Sequence, residues 1–316
     1  MVLDISLVIY KPDLVDLKRT LSSLARCTTE FGRLRLLVSG PSSLHRTIGG
    51  LVVESGLAEQ ASMTCRFDNL GFASGHNLLI GESFANGAEL CLILNPDVQV
   101  EPGALSSLCA SVETASEPAL WAPALRRIES GAPSMKSDVV DSLGISWSAT
   151  GRHYDIAQGE TMPPLNGELQ EVQGVTGACM LVSQDVFDAI CRQTGYFFDD
   201  LFLAYREDAE LCIRASVVGV TSKIIMIKGF AHVRSVRGFQ RGKRTPDLLG
   251  VRNRFLIRFR LGGHRPGNAV LAQLRDLLVM VGVVLRERSS LPGLMEAVSI
   301  RRFTRFSSVV RNKEVL

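Results

Sequence analysis

The chain is short of aromatics, has no C-x-x-C pair and lacks a long apolar run, and each shortage excludes something. Aromatic residues make up 6% of its 316 positions, too few for the stacking platforms of single-stranded nucleic-acid binders. The seven cysteines (Cys27, Cys65, Cys91, Cys109, Cys179, Cys191, Cys212) are scattered, odd in number and set inside apolar runs. That pattern points to reduced, buried thiols in a cytoplasmic protein. The longest uncharged apolar run, Leu277 to Leu285, lies between Asp276 and Arg286. It is far shorter than the roughly 20 residues that span a bilayer. The opening residues Met1 to Ile5 carry no basic segment and no apolar core, so no secretory signal is expected. Neither G-x-G-x-x-G nor G-x-x-x-x-G-K-[ST] occurs, which removes the usual dinucleotide and P-loop readings.

What is present is an ordinary globular composition, 46% hydrophobic and 21% charged, with an uneven distribution of charge. Residues 1–222 hold 15 Lys and Arg against 27 Asp and Glu, whereas residues 223–316 hold 20 against 5. The C-terminal part is therefore expected to face a polyanionic partner, whether nucleic acid, anionic lipid or a phosphorylated substrate.

Strand-like and helix-like segments alternate through the first 120 residues. Strands are expected at 5–9, 34–38, 63–67 and 90–94, and helices at 14–24, 43–56, 76–84 and after Pro102. This order implies a parallel sheet with ligands at the carboxyl ends of its strands. Residues 126–172 read as loops with a few short strands. A strand at 174–182, helices from 184 and over 207–217, and a strand at 223–227 follow. Beyond Pro246 the pattern is helical and basic, which sets a soft boundary near 245.

Several residue groups could carry chemistry. Asn95-Pro96-Asp97 follows the most apolar strand, where a carboxylate could join a divalent cation to phosphate oxygens; the same three residues also suit a plain turn. Asn69 to Asn77 is a glycine-punctuated loop entering a helix, able to approach a phosphate or simply to make a tight connection. Asp208, in an acidic run beside aromatics, could act as a general base, while Glu207 and Glu210 also suit a helix's first turn. His232 follows a strand and could ligate a metal or serve the structure.

In their order and spacing these segments resemble the inverting glycosyltransferases of family 2, and among them the bacterial rhamnosyltransferase-like members. The resemblance covers about residues 5–260. Ser6-Leu7-Val8-Ile9-Tyr10 is similar to the opening strand, and Asn69-x-Gly71-Phe72-x-x-Gly75-x-Asn77 to the loop lining the nucleotide-sugar site. Leu94-Asn95-Pro96-Asp97 resembles this subgroup's form of the DxD motif. Gly177-Ala178 with Gly195-x-Phe197 looks like the acceptor-side segment, and Glu207-Asp208-x-Glu210-Leu211-Cys212-x-Arg214 like the E-D-x-D-L-x-x-R helix. The resemblance implies a GT-A fold, a Rossmann-like mixed and mainly parallel α/β sheet flanked by helices. It implies a catalytic domain over 1–245 followed by a basic helical region over 246–316.

By the same resemblance Asp208 is the base, and Asp97 and His232 hold Mg²⁺ or Mn²⁺. Tyr10, Asn69, Gly71, Phe72, Gly75, Asn77 and Asn95 line the donor site, and Gly177, Ala178 and Glu207 the acceptor side. The implied donor is dTDP-L-rhamnose or a UDP-hexose. The implied acceptor is a saccharide, free or linked to polyprenyl diphosphate, in bacterial cell-surface polysaccharide synthesis. The chain departs from the family where Val38-Ser39-Gly40-Pro41-Ser42 replaces Val-Asp-Asn-x-Ser, so the usual nucleobase-binding carboxylate is missing. Lys11 and Glu210 are further departures. No nucleic-acid-reading motif is present. The interspersed Phe, Leu and Arg of 252–306 suggest amphipathic helices, either on an anionic membrane surface at the inner face of the cytoplasmic membrane or packed by their apolar faces on the catalytic domain.

Overall fold

A computed structural model describes residues 1–115, 117–130, 137–234, 244–261 and 266–300, with the side chains of 244–247 left aside. Arg301, Arg302, Phe303, Arg305 and Phe306, part of the expected membrane-facing region, lie outside the described residues. The chain begins β1 (Leu3–Tyr10), α1 (Leu14–Leu24), β2 (Leu34–Ser39), α2 (Ser42–Glu54), β3 (Ala61–Arg66), α3 (Gly71–Ala85), β4 (Leu90–Leu94), β5 (Val98–Val100) and α4 (Ala104–Glu113). Short strands follow: β6 (Ala119–Pro123), β7 (Leu125–Ile128), β8 (Val140–Ser142), β9 (Ile145–Trp147), β10 (His153–Asp155) and β11 (Leu169–Val172). Then come β12 (Cys179–Ser183), α5 (Gln184–Thr194), α6 (Glu207–Val217), β13 (Thr221–Ile225) and β14 (Phe230–Val233). The described part ends with α7 (Arg244–Leu261), α8 (Ala269–Leu285) and α9 (Leu291–Ile300).

The main sheet has the order β11-β13-β6-β12-β4-β1-β2-β3. Its β3-β2-β1-β4 half is parallel, as the alternating pattern requires. β12 runs antiparallel to β4 and β6, so the sheet is mixed rather than parallel throughout. The central strands β1, β2 and β4 are nearly continuous apolar runs because both faces are covered. A second sheet, β5-β14-β7-β8, brings together segments more than 100 residues apart in sequence. The short strands β7 to β11 fall within the region expected to hold loops and a few strands.

Three local readings change. The helix expected from His76 already starts at Gly71, whose φ of +78° suits glycine and whose missing Cβ leaves room for the Leu203 carbonyl. The run 174–182 is a strand only from Cys179. Cys65 is exposed, not buried, because it lies on the edge strand β3.

The two long C-terminal helices behave differently. Phe255, Leu256, Ile257 and Leu261 of α7 are buried in the same core as β12 and α6. On α8, by contrast, Val270, Leu271, Leu274, Leu277, Leu278, Val281, Val284 and Leu285 are all exposed, forming one uncharged face at helical spacing. No helix among the described residues is long and apolar enough to cross a membrane.

Candidate active site

The turn Asn95-Pro96-Asp97 leaves β4 at the carboxyl edge of the sheet. It is fixed on two sides, by the Asn95 N–H donating to the Ala178 carbonyl (2.9 Å) and by the Thr20 hydroxyl donating to the Pro96 carbonyl (3.0 Å). The Asp97 carbonyl accepts from the Val233 N–H (3.0 Å), which ties the turn to β14 and brings His232 alongside. His232 Nε2 lies 3.3 Å from Asp97 Oδ1, and that buried oxygen has no hydrogen bond among the described residues.

The other ring nitrogen, Nδ1, lies 2.8 Å from Asp141 Oδ2. Arg234 then joins Asp141 (2.6 Å) to Asp155 (2.8 Å). Burial alone would lower the pKa of His232, but the bond to Asp141 and the carboxylate of Asp97 together raise it to about 10. An imidazole nitrogen facing a buried, unsatisfied carboxylate oxygen, with its second nitrogen held by another carboxylate, is a donor set that fits a divalent cation. Among the described residues no three His, Cys, Asp or Glu side chains cluster as a complete metal cage. Asp97 and His232 would therefore hold the ion from one side, leaving its remaining positions for water or ligand oxygens.

Asp208 stands in the first turn of α6. It accepts from the Gly177 N–H (3.0 Å) and the Ala209 N–H (2.7 Å). A Cβ on Gly177 would sit 3.1 Å from the Phe72 ring and 3.4 Å from Asp208 Cβ, so this glycine lets the Phe72 ring, the backbone before β12 and the carboxylate meet. Burial raises the pKa of Asp208, and the two N–H donors pull it back in part. Glu207 is buried beside it with Oε2 unsatisfied, and burial together with the Asp208 charge raises its pKa well above the usual range. Glu210 has a different task. It makes a bidentate, fully buried pair with Arg214 (both contacts 2.9 Å), whose guanidinium also binds the Thr194 hydroxyl and the carbonyls of Tyr196 and Phe197. This pair fastens the aromatic segment 196–198 to α6.

Leu203, Tyr205 and Arg206, which lead into α6, all have positive φ (58°, 71° and 74°). Such backbone is held only where the surroundings impose it. Asn253 of α7 does so, its Nδ2 donating to the carbonyls of Phe202, Ala204 and Tyr205 at 2.7–2.9 Å.

The structure thus brings Phe72, Asn95, Asp97, Gly177, Ala178, Glu207, Asp208 and His232 into one neighbourhood, linked through the consecutive residues Gly177 and Ala178, at the strand ends where an open α/β sheet keeps its ligand crevice. Tyr10 is half-exposed at the end of β1, and the exposed Asn69 accepts from the Gly71 N–H (3.0 Å). Two expected donor-site residues face elsewhere. Gly75 lies inside α3, where a Cβ would come within 2.8 Å of Val8 and 2.9 Å of Leu37. Asn77 is engaged by the Phe198 backbone and Asp200. The N–H groups of Phe72 and Ala73, which a phosphate could have used, already donate to the Leu203 carbonyl (2.6 and 3.4 Å). Asp141, Arg234 and Asn253 escaped the sequence reading. The signals available were a lone carboxylate inside Val139-Val140-Asp141-Ser142 and a cation two residues beyond His232.

No protein-family model matches the chain. It is 22% identical over 232 residues to the low-salt glycan biosynthesis hexosyltransferase Agl10 of Haloferax volcanii, covering 68% of this chain and 69% of that protein. It resembles the crystal structure of GalNAc-T7 with UDP, GalNAc and Mn²⁺ at a TM-score of 0.64 and 12% identity, over 98% of this chain and 56% of that one. The chain spans little more than half the length of that neighbour. The crystal structure of S. aureus TarS 1–349 matches at a TM-score of 0.55 and 12% identity, over 95% of this chain and 80% of that one. The fold is GT-A. Within a GT-A fold the crevice between Asp97, His232 and Asp208 lies where open α/β sheets bind their ligands, outside the carboxyl ends of the strands.

Proposed function

We propose that the chain is an inverting, metal-dependent glycosyltransferase that moves a sugar from a nucleotide-sugar to a hydroxyl of a saccharide acceptor. The observation that carries this reading is the pairing of two unlike sites in one crevice. One is a carboxylate–imidazole pair suited to a cation; the other is a desolvated carboxylate held against Gly177 and next to Phe72. Asp208 accepts the proton of the acceptor hydroxyl as that oxygen attacks the anomeric carbon. The bond from that carbon to the nucleotide diphosphate breaks on the opposite face, and the diphosphate leaves with the electron pair. General-base help of this kind is worth about 10²–10⁴ in rate. Asp97 and His232 would hold Mg²⁺ or Mn²⁺, which supplies neutralisation of the charge that develops on the leaving diphosphate.

The donor proposed is dTDP-L-rhamnose, on the resemblance of Leu94-Asn95-Pro96-Asp97 and its companions to rhamnosyltransferase-like members of family 2. A UDP-hexose is the second reading, favoured by the hexosyltransferase Agl10 and the UDP complex of GalNAc-T7. In this reading residues 1–245 hold the donor and the base, and residues 246–316 serve the acceptor and its setting. That setting is the inner face of a bacterial cytoplasmic membrane, where an acceptor linked to polyprenyl diphosphate is consumed in cell-surface polysaccharide synthesis. The exposed apolar face of α8 supports it. Exposed Arg286 and Arg288 follow that face, and residues 301–316 add five Lys and Arg against one Glu.

Transfer and hydrolysis of dTDP-L-rhamnose, UDP-hexoses and GDP-mannose, with Mn²⁺ and with EDTA, tests the reaction. Turnover of one donor, dependent on metal and with inverted anomeric configuration by NMR, is expected. Folded protein that binds a nucleotide-sugar but turns none over would make the chain a catalytically silent binding protein instead. Flotation with anionic and neutral vesicles tests the setting, and equal indifference to both overturns it.

A further inference from the structure

The segment 199–206, which ends at the start of α6, is held along its length by α7. Arg260 pairs with Asp199, whose other oxygen accepts from the Leu201 N–H (3.1 Å). Arg252 Nη1 donates to the Leu201 carbonyl (2.6 Å). Asn253 Nδ2 donates to the carbonyls of Phe202 (2.9 Å), Ala204 (2.7 Å) and Tyr205 (2.7 Å). The carbonyl of Leu203 turns the other way and accepts from the Phe72 N–H (2.6 Å) at the start of α3.

Asn253 is fully buried, in a helix whose Phe255 and Leu256 enter the core. An amide in such a place costs free energy unless its groups are bonded. Its Oδ1 accepts from Arg252 Nη1 (2.9 Å), which points Nδ2 at the loop. Two N–H protons then serve three carbonyls of a backbone in which Leu203, Tyr205 and Arg206 hold positive φ. An apolar side chain of the same size would leave those carbonyls without this donor inside the protein.

The loop reaches the site at two points. Three residues past Tyr205 stands Asp208, in the helical turn closed by the Glu210 N–H on the Arg206 carbonyl (2.9 Å). On the other side the Leu203 carbonyl seats Phe72. Both meet at Gly177, whose N–H donates to Asp208 (3.0 Å) and where a Cβ would lie 3.1 Å from the Phe72 ring.

We propose that Asn253 is a positioning residue for the transfer reaction. Its hydrogen bonds run to Arg252 and the loop, not to Asp208 itself. Through residues 203–206 it sets both the direction of Asp208 and the seat of Phe72, so α7 belongs to the machinery of the base. The part that Asp208 plays in a reaction rests on the glycosyl-transfer reading; the control of its direction by Asn253 does not.

The experiment reads geometry and rate separately on the full chain. With the glycine nitrogens isotopically labelled, the Gly177 amide resonance reports the bond to Asp208, and Asp208→Ala gives its position without that bond. In Asn253→Ala the resonance should move toward that position. The Gly40 amide, bonded to the Arg66 carbonyl (2.8 Å), should stay in place. In the same variant kcat should fall about 10–100-fold, the loss expected when a reacting group is misplaced by about 1 Å. Mn²⁺ affinity should be unchanged, because Asp97 and His232 are held through β14 and Asp141. Leu256→Ala, a truncation in the core of the same helix, should lower stability and leave both the resonance and kcat near wild type. Circular dichroism checks folding, and Asn253→Ser, too short to reach the carbonyls, replaces Asn253→Ala if that variant does not fold. An unmoved Gly177 resonance, an unchanged kcat, or an equal fall of kcat in Leu256→Ala would each overturn the proposal. A wild-type chain that transfers no sugar would remove the reaction instead, and the Gly177 resonance would still decide whether Asn253 directs the carboxylate.

Discussion

The two ends of the crevice are built on opposite electrostatic plans. From Asp97 through His232, Asp141 and Arg234 to Asp155, acidic and basic groups alternate at 3.3, 2.8, 2.6 and 2.8 Å. Each charge there has a neighbour of the other sign, so the chain fixes the orientation of the imidazole. Around Asp208 like gathers with like. Glu207 and Asp208 are adjacent desolvated acids. Alternating charges hold an imidazole in place, whereas adjacent desolvated acids stay ready to exchange a proton.

The largest effect that would break this contrast is Asp208→Asn. The amide keeps the shape but cannot take the proton. Turnover is expected to fall by about 10²–10⁴ while donor affinity stays near wild type; kcat and donor Kd measured together check it. Near-normal turnover would remove Asp208 from the base role. At the other end, Asp97→Ala should weaken Mn²⁺ and donor binding together. Asp141→Asn, which meets the far side of the imidazole and Arg234, should weaken Mn²⁺ binding by about 10–100-fold. A Mn²⁺ titration followed by electron paramagnetic resonance reads both, and an unaltered Asp141→Asn would mean that the histidine needs no orientation.

The pH profile sharpens the comparison further. Asp208 works only when ionised, and burial raises its pKa. Activity should therefore fade on acidification earlier than an ordinary carboxylate of about 3.9 would allow. The acid limb of kcat at saturating donor reports this, and a limb at or below the ordinary range would contradict a desolvated base.

The smallest effect is on stability, at a histidine packed behind Phe72. His76 is buried, with Nδ1 2.7 Å from the Ser6 hydroxyl, and burial lowers its pKa to about 3. The unfolded chain, with an ordinary histidine near 6.5, then binds more protons than the folded one between those two values, so stability falls as pH drops below about 6.5. The loss should reach roughly 2 kcal/mol by about pH 5. His76→Gln should flatten this part of the denaturation profile, and an unchanged acid slope would refute the assignment.

Much of the fold was legible because its strands are unambiguous: Leu90-Cys91-Leu92-Ile93-Leu94 is buried on both faces and can be little else. The order of Asn69, Asp97, Asp208 and His232 likewise pointed to one crevice. What could not be read was direction and partnership. Nothing local tells Cys179–Ser183 to run antiparallel to β4, since that is decided by the sheet as a whole. Gly71 and Gly75 looked alike in the sequence. One makes room for the Leu203 carbonyl and the other for Val8 and Leu37, contacts that only tertiary packing defines. The amphipathic patterns of α7 and α8 were equally ambiguous, because a helix facing a core and one facing outward share the same spacing.

The three hydrogen bonds from Asn253 to the loop before α6 carry a consequence for how the protein is made. A ribosome delivers Asp208 well before residue 253, yet one clamp on the loop leading to this carboxylate comes from α7. Nascent chains shorter than that helix would hold every residue of the crevice and still lack this clamp on the loop before Asp208. The setting of that loop is thus completed late in synthesis, after the sheet and the turn at Asp97 can already have formed.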